Sequence, residues 1–203
     1  MSKKFLWILP VAAGAYYLYS RTISVDKADP TTAKLVVSKW GEQVDRTINL
    51  YKRNLKGSNL VHFSAIDSGL IMSIIFVESR GNEKAIGAAG EVGLMQIMPN
   101  NIPVLSGHVE DFIKNGRDLF AAGWGGGEAW RPEDNIFLGV QNLWNEVYLM
   151  LVQEKATQPD LDRAVRGYNV GFGTAKKSPD AGFEYLQKVR AAQNTIFAIL
   201  GGG

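Results

Sequence analysis

Cysteine is absent from this chain of 203 residues. That excludes a disulfide framework, a zinc ribbon or finger, a thiol nucleophile and a lipid-modified N-terminal cysteine. Histidine is scarce, with only His62 and His108. A histidine-rich metal site is therefore not expected, although carboxylates remain available for a hard cation. Charge of one sign is also lacking: the formal net charge is +2, too small to argue for a nucleic-acid partner. No segment alternates apolar and polar residues over several positions, and there is no internal repeat. What remains is ordinary globular composition, 46% apolar and 21% charged. The length suits one domain, with or without an appendage, and can bury a core without covalent staples.

The N-terminus narrows the compartment. Lys3 and Lys4 precede an apolar run, Phe5 to Tyr19, that ends at Ser20-Arg21. As a helix this run spans about 22 Å, short of a bilayer core of about 30 Å. It reads as a short retained anchor, with Tyr16, Tyr17 and Tyr19 at one interface. It reads also as a secretory signal cut after Ala13-Gly14-Ala15, or as a buried helix of a soluble protein. The run has no polar face, which counts against burial, and Pro10 breaks the short apolar region of a signal. Anchor and signal both place residues 22 onward outside the cytoplasm of a bacterial system.

The rest reads as helices. Val37, Trp40, Val44, Ile48, Tyr51 and Leu55 recur at steps of three and four and make one apolar stripe. Gly57-Ser58-Asn59 is expected to close that helix. A second follows Asp67, with Leu70, Ile71, Ile74 and Ile75 inward. A third opens at Pro132-Glu133-Asp134, a short fourth covers Leu161 to Tyr168, and a fifth runs from Phe183 toward Leu200. The expected fold class is all-α. Residues 1–21 form the anchor or signal, 22–60 a tether and amphipathic helix, and 61–200 the main domain.

One carboxylate is out of place. Glu78 follows Ile71, Ile74 and Ile75 at helical spacing, on or beside the face that should meet the core. Burying an ionised carboxylate is costly, so it is either paired or carries a raised pKa. A raised pKa is what a general acid near neutral pH needs. A frayed helix end, with Glu78 swung to solvent or paired with Arg80 or Lys84, is the plain structural alternative. After it comes Gly93-Leu94-Met95-Gln96, where the Gln96 amide suits an amide-bearing ligand. Later comes Arg166-Gly167-Tyr168-Asn169-Val170-Gly171, with an aromatic hydroxyl and an amide at a helix end. Aromatic rings and amides together suit N-acetylated sugars.

At these residues the chain resembles the soluble lytic transglycosylases, which share the goose-type lysozyme fold. Glu78-Ser79 followed by Gly93-Leu94-Met95-Gln96 looks like the family's first block. Pro132-Glu133-Asp134-Asn135-Ile136 with Gly139 resembles its second helix opening. Tyr168-Asn169-Val170-Gly171 and Tyr185-Leu186-Gln187-Lys188-Val189 resemble its closing elements, and the likeness covers roughly 64 to 190, in order. The resemblance implies a lysozyme-like all-α domain that cuts peptidoglycan glycan strands between N-acetylmuramic acid and N-acetylglucosamine. It implies one catalytic residue, Glu78, acting as acid and then as base on the sugar's own 6-hydroxyl, with no metal and no cofactor. It carries substrate contacts onto Met95, Gln96, Tyr168, Asn169 and Tyr185, while Ser79 reads as a structural cap.

Departures accompany it. The family's substrate-contacting serine falls at Gly87, and its asparagine-proline pair is Asn82-Glu83. The stretch from Pro99 to Asn135 is longer than the family's connection and holds Gly123-Trp124-Gly125-Gly126-Gly127-Glu128-Ala129-Trp130. This loop is read either as a sugar-stacking lid that presents Trp124, or as an insert whose tryptophans pack on the fold. A hydrolase would need a second acid, for which Glu91 is the leading candidate among Glu83, Glu91, Asp111 and Glu128. A non-catalytic wall-binding protein is the alternative of a different class. The expected location is the membrane, facing the periplasm, or a phage particle, with release to the periplasm if residues 1–15 are removed. Expected partners are the glycan strands, the membrane, and components of a phage particle or of a conjugation or secretion machine.

Overall fold

The structure is a computed structural model and describes residues 28–201 apart from positions 115 and 159. The expected anchor or signal therefore lies outside the described residues. Among the described residues, no helix is long and apolar enough to cross a membrane.

Helix α1, Pro30–Asn54, starts where sequence chemistry puts it. The Asp29 carboxylate accepts hydrogen bonds from the backbone N–H of Thr31 at 3.2 Å and of Thr32 at 2.9 Å. Pro30 gives up no useful donor in the first turn. Ala33, Val36, Trp40, Val44, Ile48 and Tyr51 are buried along one side. The helix stops at Asn54, earlier than Gly57. Gly57, at φ 58°, instead begins the short α2, Ser58–Phe63. α1 packs directly on α3, Ser68–Ser79, across the expected boundary at 60.

Helix α3 is the centre of the molecule. Asp67 caps it, accepting from Leu70 N–H at 2.7 Å, and Gly69 through Phe76 are buried without a gap. A helix apolar all round must be covered all round. α1 lies against it, as does α9, Phe183–Leu200. The approach of α9 is close: a Cβ on Gly69 would strike the Phe197 ring. α3 ends at Ser79 because Arg80 turns left-handed, at φ 53°. The Ser79 hydroxyl donates to Ile75 O at 3.1 Å and accepts from Gly81 N–H at 3.2 Å, a capping role.

Two helices that the sequence reading did not anticipate follow, α4, Ile102–Phe112, and α5, Gly116–Ala121. Leu105, Val109 and Leu119 are their buried side chains. The long α6, Pro132–Gln153, then crosses the molecule. Tyr51 stacks on Phe63 at 5.1 Å, and Phe63 meets Trp144 of α6 edge-on at 5.4 Å. The Tyr51 hydroxyl donates to Gln141 Oε1 at 2.7 Å, so these two buried groups satisfy each other across the α1–α6 contact. Helices α7, Leu161–Val170, and α8, Phe172–Lys177, complete the order before α9. The described residues contain no strand, only isolated bridges joining Ile86 to Val92 and Val92 to Ile97. The expected all-α class matches this architecture.

The segment carrying Gly93–Gln96 is fastened to α6 by one side chain. Asn135, fully buried, accepts from Met95 N–H at 2.7 Å and donates to Val92 O at 2.9 Å and to Ala129 O at 2.8 Å. Replacing it by leucine strands Met95 N–H and Ala129 O, each costing about 1–3 kcal/mol, while Val92 O keeps the Ile97 N–H. Asn135→Leu is therefore expected to lose on the order of 3–5 kcal/mol, read as a lower urea midpoint at unchanged slope.

Candidate active site

Glu78 sits in the last turn of α3, and its helix end opens into a cleft of about 200 Å³. Gly87, Ala88, Glu91, Gln96 and Met98 line one side of that cleft, and Asn142, Tyr168 and Asn169 also contribute. The Tyr185 hydroxyl of α9 donates to Glu78 Oε1 at 2.6 Å. Burial is the main reason the Glu78 carboxyl is pushed up from 4.5 to about 7. The Tyr185 hydrogen bond opposes that rise, and the like charge of Glu91 adds to it. The group is thus part protonated at neutral pH, as a general acid requires.

The loop from Ala85 to Ile97 forms a wall. Gly93 adopts φ 79°, and a Cβ there would fall on the Asn135 amide, so only glycine fits. Gln96 takes φ 47°, an uncommon conformation for a residue with a side chain. Its amide nitrogen is fixed, donating to Gly93 O at 2.8 Å and to Ala85 O at 3.2 Å. Its oxygen points toward Gly87, where a Cβ would also meet Glu91 Oε2. The Tyr168 hydroxyl donates to Met95 O at 2.6 Å and is hydrogen-bonded to Asn142, so α7, α6 and the loop converge beside Glu78. Burial, aided by the Glu78 charge, pushes the Tyr168 and Tyr185 hydroxyls well above their usual value, and both stay protonated.

The residues expected from sequence divide into groups. Glu78, Gln96, Tyr168 and Asn169 line the cleft together. Tyr185 is buried and acts on Glu78, not on the cleft surface. Met95 is corrected: its side chain is fully buried and packs over Gly139 of α6, where a Cβ would strike its sulfur, so only its carbonyl serves the site. Trp124 is corrected too. It is buried, 7% exposed, edge-on to Phe137 at 5.5 Å, and absent from the cleft lining. Its loop is pinned and is not a lid. The Asp134 carboxylate accepts from the N–H groups of Gly125 at 2.6 Å, Glu128 at 2.8 Å and Gly127 at 3.0 Å. Among the described residues, no group of three His, Cys, Asp or Glu side chains is placed to hold a metal ion.

Asn142 and Glu146 escaped the sequence reading. They continue a stripe on α6, Asn135, Gly139, Asn142 and Glu146, at steps of four and three. Glu146 is 8% exposed, with its carboxylate against Gly167 and accepting from Phe172 N–H. Burial raises it from 4.5 to about 7.

The model of the transglycosylase SLT domain matches residues 62–189. The chain belongs to that family. The match contains Glu78, the Gly93–Gln96 segment, Tyr168 and Tyr185, and leaves α1 outside. The chain is 33% identical over 117 residues to the membrane-bound lytic murein transglycosylase C of Haemophilus influenzae, covering 53% of this chain and 28% of that protein. It is 27% identical over 152 residues to the membrane-bound lytic murein transglycosylase E of Buchnera aphidicola, covering 75% and 52%. The chain thus spans between about a quarter and a half of the length of these curated relatives. Among solved structures, the 70 kDa soluble lytic transglycosylase of Escherichia coli aligns at 23% identity and a TM-score of 0.48, over 75% of this chain and 24% of that one.

Two tests follow from the electrostatics of this SLT domain. Tyr185→Phe removes the bond that lowers the Glu78 pKa, so the Glu78 titration, followed by carboxyl carbon NMR, should move to higher pH. Glu91→Gln removes a like charge and should move it to lower pH. Linkage gives the second test. Glu78 and Glu146 are both raised from 4.5 to about 7, so the folded chain holds protons that the unfolded chain releases. The stability they contribute is present below 4.5 and is lost as pH rises to about 7. The loss is on the order of 2–3 kcal/mol for each group. Urea midpoints of Glu78→Gln and Glu146→Gln should match the parent at low pH and exceed it above neutrality.

Proposed function

We propose that this chain is a peptidoglycan lytic transglycosylase, cutting the glycan strand between N-acetylmuramic acid and N-acetylglucosamine. The observation that carries this reading is a carboxyl with a pKa of about 7, held by the Tyr185 hydroxyl at the wall of an open cleft, in a chain of the SLT family. Tyr185 occupies Oε1, which leaves Oε2 to face the substrate. Protonated Glu78 gives its proton to the glycosidic oxygen as the bond from that oxygen to the muramic C1 breaks. The substrate's acetamido group steadies the oxocarbenium-like centre. The Glu78 carboxylate then takes the proton of the same sugar's 6-hydroxyl, whose oxygen closes on C1. The product is a 1,6-anhydro end, no water is consumed, and Glu78 regains its proton.

Two-carboxylate glycosidases activate water or use a covalent nucleophile at the second acid. Glu91 lines the same cleft as Glu78 and favours hydrolysis as the competing reading. Both curated relatives carry the description membrane-bound. With residues 1–21 as an anchor, the chain would sit on the membrane facing the periplasm and open the wall locally. Phage genome delivery and a conjugation or secretion machine are the settings that fit such a module. Fractionation of cells or particles with an antibody tests the placement: recovery of the full chain only in the soluble periplasm would remove the anchor.

Mass spectrometry of a purified peptidoglycan digest decides the chemistry. Anhydro ends are expected, reducing ends would assign hydrolysis, and no fragments would return a wall-binding role. Glu78→Gln should slow release by roughly 100- to 10,000-fold. Digestion at the parental rate would sink the assignment of Glu78.

A further inference from the structure

Gly87 has no side chain, and the space is filled from two directions. A Cβ at this position would clash with Glu91 Oε2 and, at 2.6 Å, with Gln96 Oε1. Both oxygens belong to residues that line the cleft with Glu78. Neither can turn away freely. Glu91 Oε2 is held by the N–H of Ala89 at 3.0 Å. Gln96 has its nitrogen committed to Gly93 O at 2.8 Å and Ala85 O at 3.2 Å, which fixes its oxygen toward the cleft.

Two acceptors therefore converge with no donor between them. A carboxylate and an amide oxygen cannot satisfy each other. No lysine or arginine is among the described residues lining this cleft, and its neutral amides, Asn101, Asn142 and Asn169, bring donors but no positive charge to answer the Glu91 carboxylate. A group seated between the two oxygens over Gly87 must bring donors, and positive charge improves the fit. On an amino-sugar strand, the acetamido group offers one N–H and a bulky acetyl. A free amine offers three donors and a charge in a smaller volume.

We propose that Glu91 and Gln96 form, over Gly87, an acceptor-only subsite that selects a free ammonium on a sugar beside the reacting one. The specificity of the cleft would then lean toward partly de-N-acetylated glycan, while the reacting sugar keeps its acetamido group. This rests on reading the cleft as a glycan site. It does not depend on whether the cut yields anhydro or reducing ends.

The test uses the full chain carrying Glu78→Gln, so that binding is measured without cleavage. The probes are a glucosamine oligosaccharide and an N-acetylglucosamine oligosaccharide of equal length, at low salt and at a pH where the amine is protonated. Calorimetry is expected to show the glucosamine oligomer bound roughly three- to tenfold more tightly, the range for a charge-assisted contact that solvent partly screens. The preference should fade with added salt. A further Glu91→Gln change should abolish it, while Glu91→Asp should retain part of it. Circular dichroism and urea midpoints confirm that each variant is folded. Equal affinity for the two oligomers, tighter binding of the acetylated one, a preference that survives Glu91→Gln, or no binding of either would overturn the subsite. If the preference holds but the peptidoglycan digest yields no anhydro ends, only the proposed reaction fails.

Discussion

The contact between Tyr185 and Glu78 is the constraint around which the molecule is arranged. α3 is apolar on every side, and a carboxyl at its end pays a desolvation penalty that water would otherwise remove. One neutral hydroxyl, delivered by α9, offsets part of that penalty without neutralising the acid. A lysine or arginine at the same distance would hold Glu78 ionised, and the proton would be lost. The pairing therefore leaves a carboxyl that is ordered yet still able to give up and regain a proton near neutral pH.

The opposite wall depends on α6. Its stripe of Asn135, Gly139, Asn142 and Glu146 meets three neighbours in turn, the first two residues sharing the Met95 segment. Asn135 holds the Gly93–Gln96 segment, and Gly139 leaves room for the Met95 sulfur. Asn142 meets the Tyr168 hydroxyl, and Glu146 supports the junction of α7 and α8. Arg166 ties off the next turn. Its guanidinium donates to Pro179 O at 2.8 Å and Ser178 O at 3.2 Å, fixing the loop from which α9 and Tyr185 depart. The site is thus built from elements distant in sequence, and Asn135 and Arg166, both buried, hold two of its loops through backbone groups.

Part of this was readable from the chain alone. Apolar spacing in α1, α3, α6 and α9 follows from the need to bury one face, and Glu78 stood out because it interrupts such a face. Gln96 and Tyr168 emerged as candidates through side-chain chemistry suited to N-acetylated sugars, and motif order then joined them to Glu78. Met95 was carried over as a substrate contact by resemblance, and no motif shows that its side chain packs against Gly139 while its carbonyl accepts from Tyr168. For Trp124 the sequence left lid and packed insert open, and the structure shows it packed. Glycine density suggests freedom, but the Asp134 carboxylate that gathers three of the loop's N–H groups removes it. The α6 stripe was hidden because two asparagines, a glycine and a glutamate look like a solvated face until the neighbours that cover them are known. The convergence of Glu91 and Gln96 depends on loop geometry that no periodicity encodes.

α1 lies outside the residues that match the family, yet it is one of the covers of α3. The segment that matches the family model and the unit that folds are therefore not the same length. A fragment trimmed to the shared part would keep every residue of the site and lose the surface against which the acid-bearing helix is shielded. Its exposed isoleucines would then seek another chain, and the carboxyl would meet water from behind. In this protein the segment without a motif is part of what keeps the motif dry.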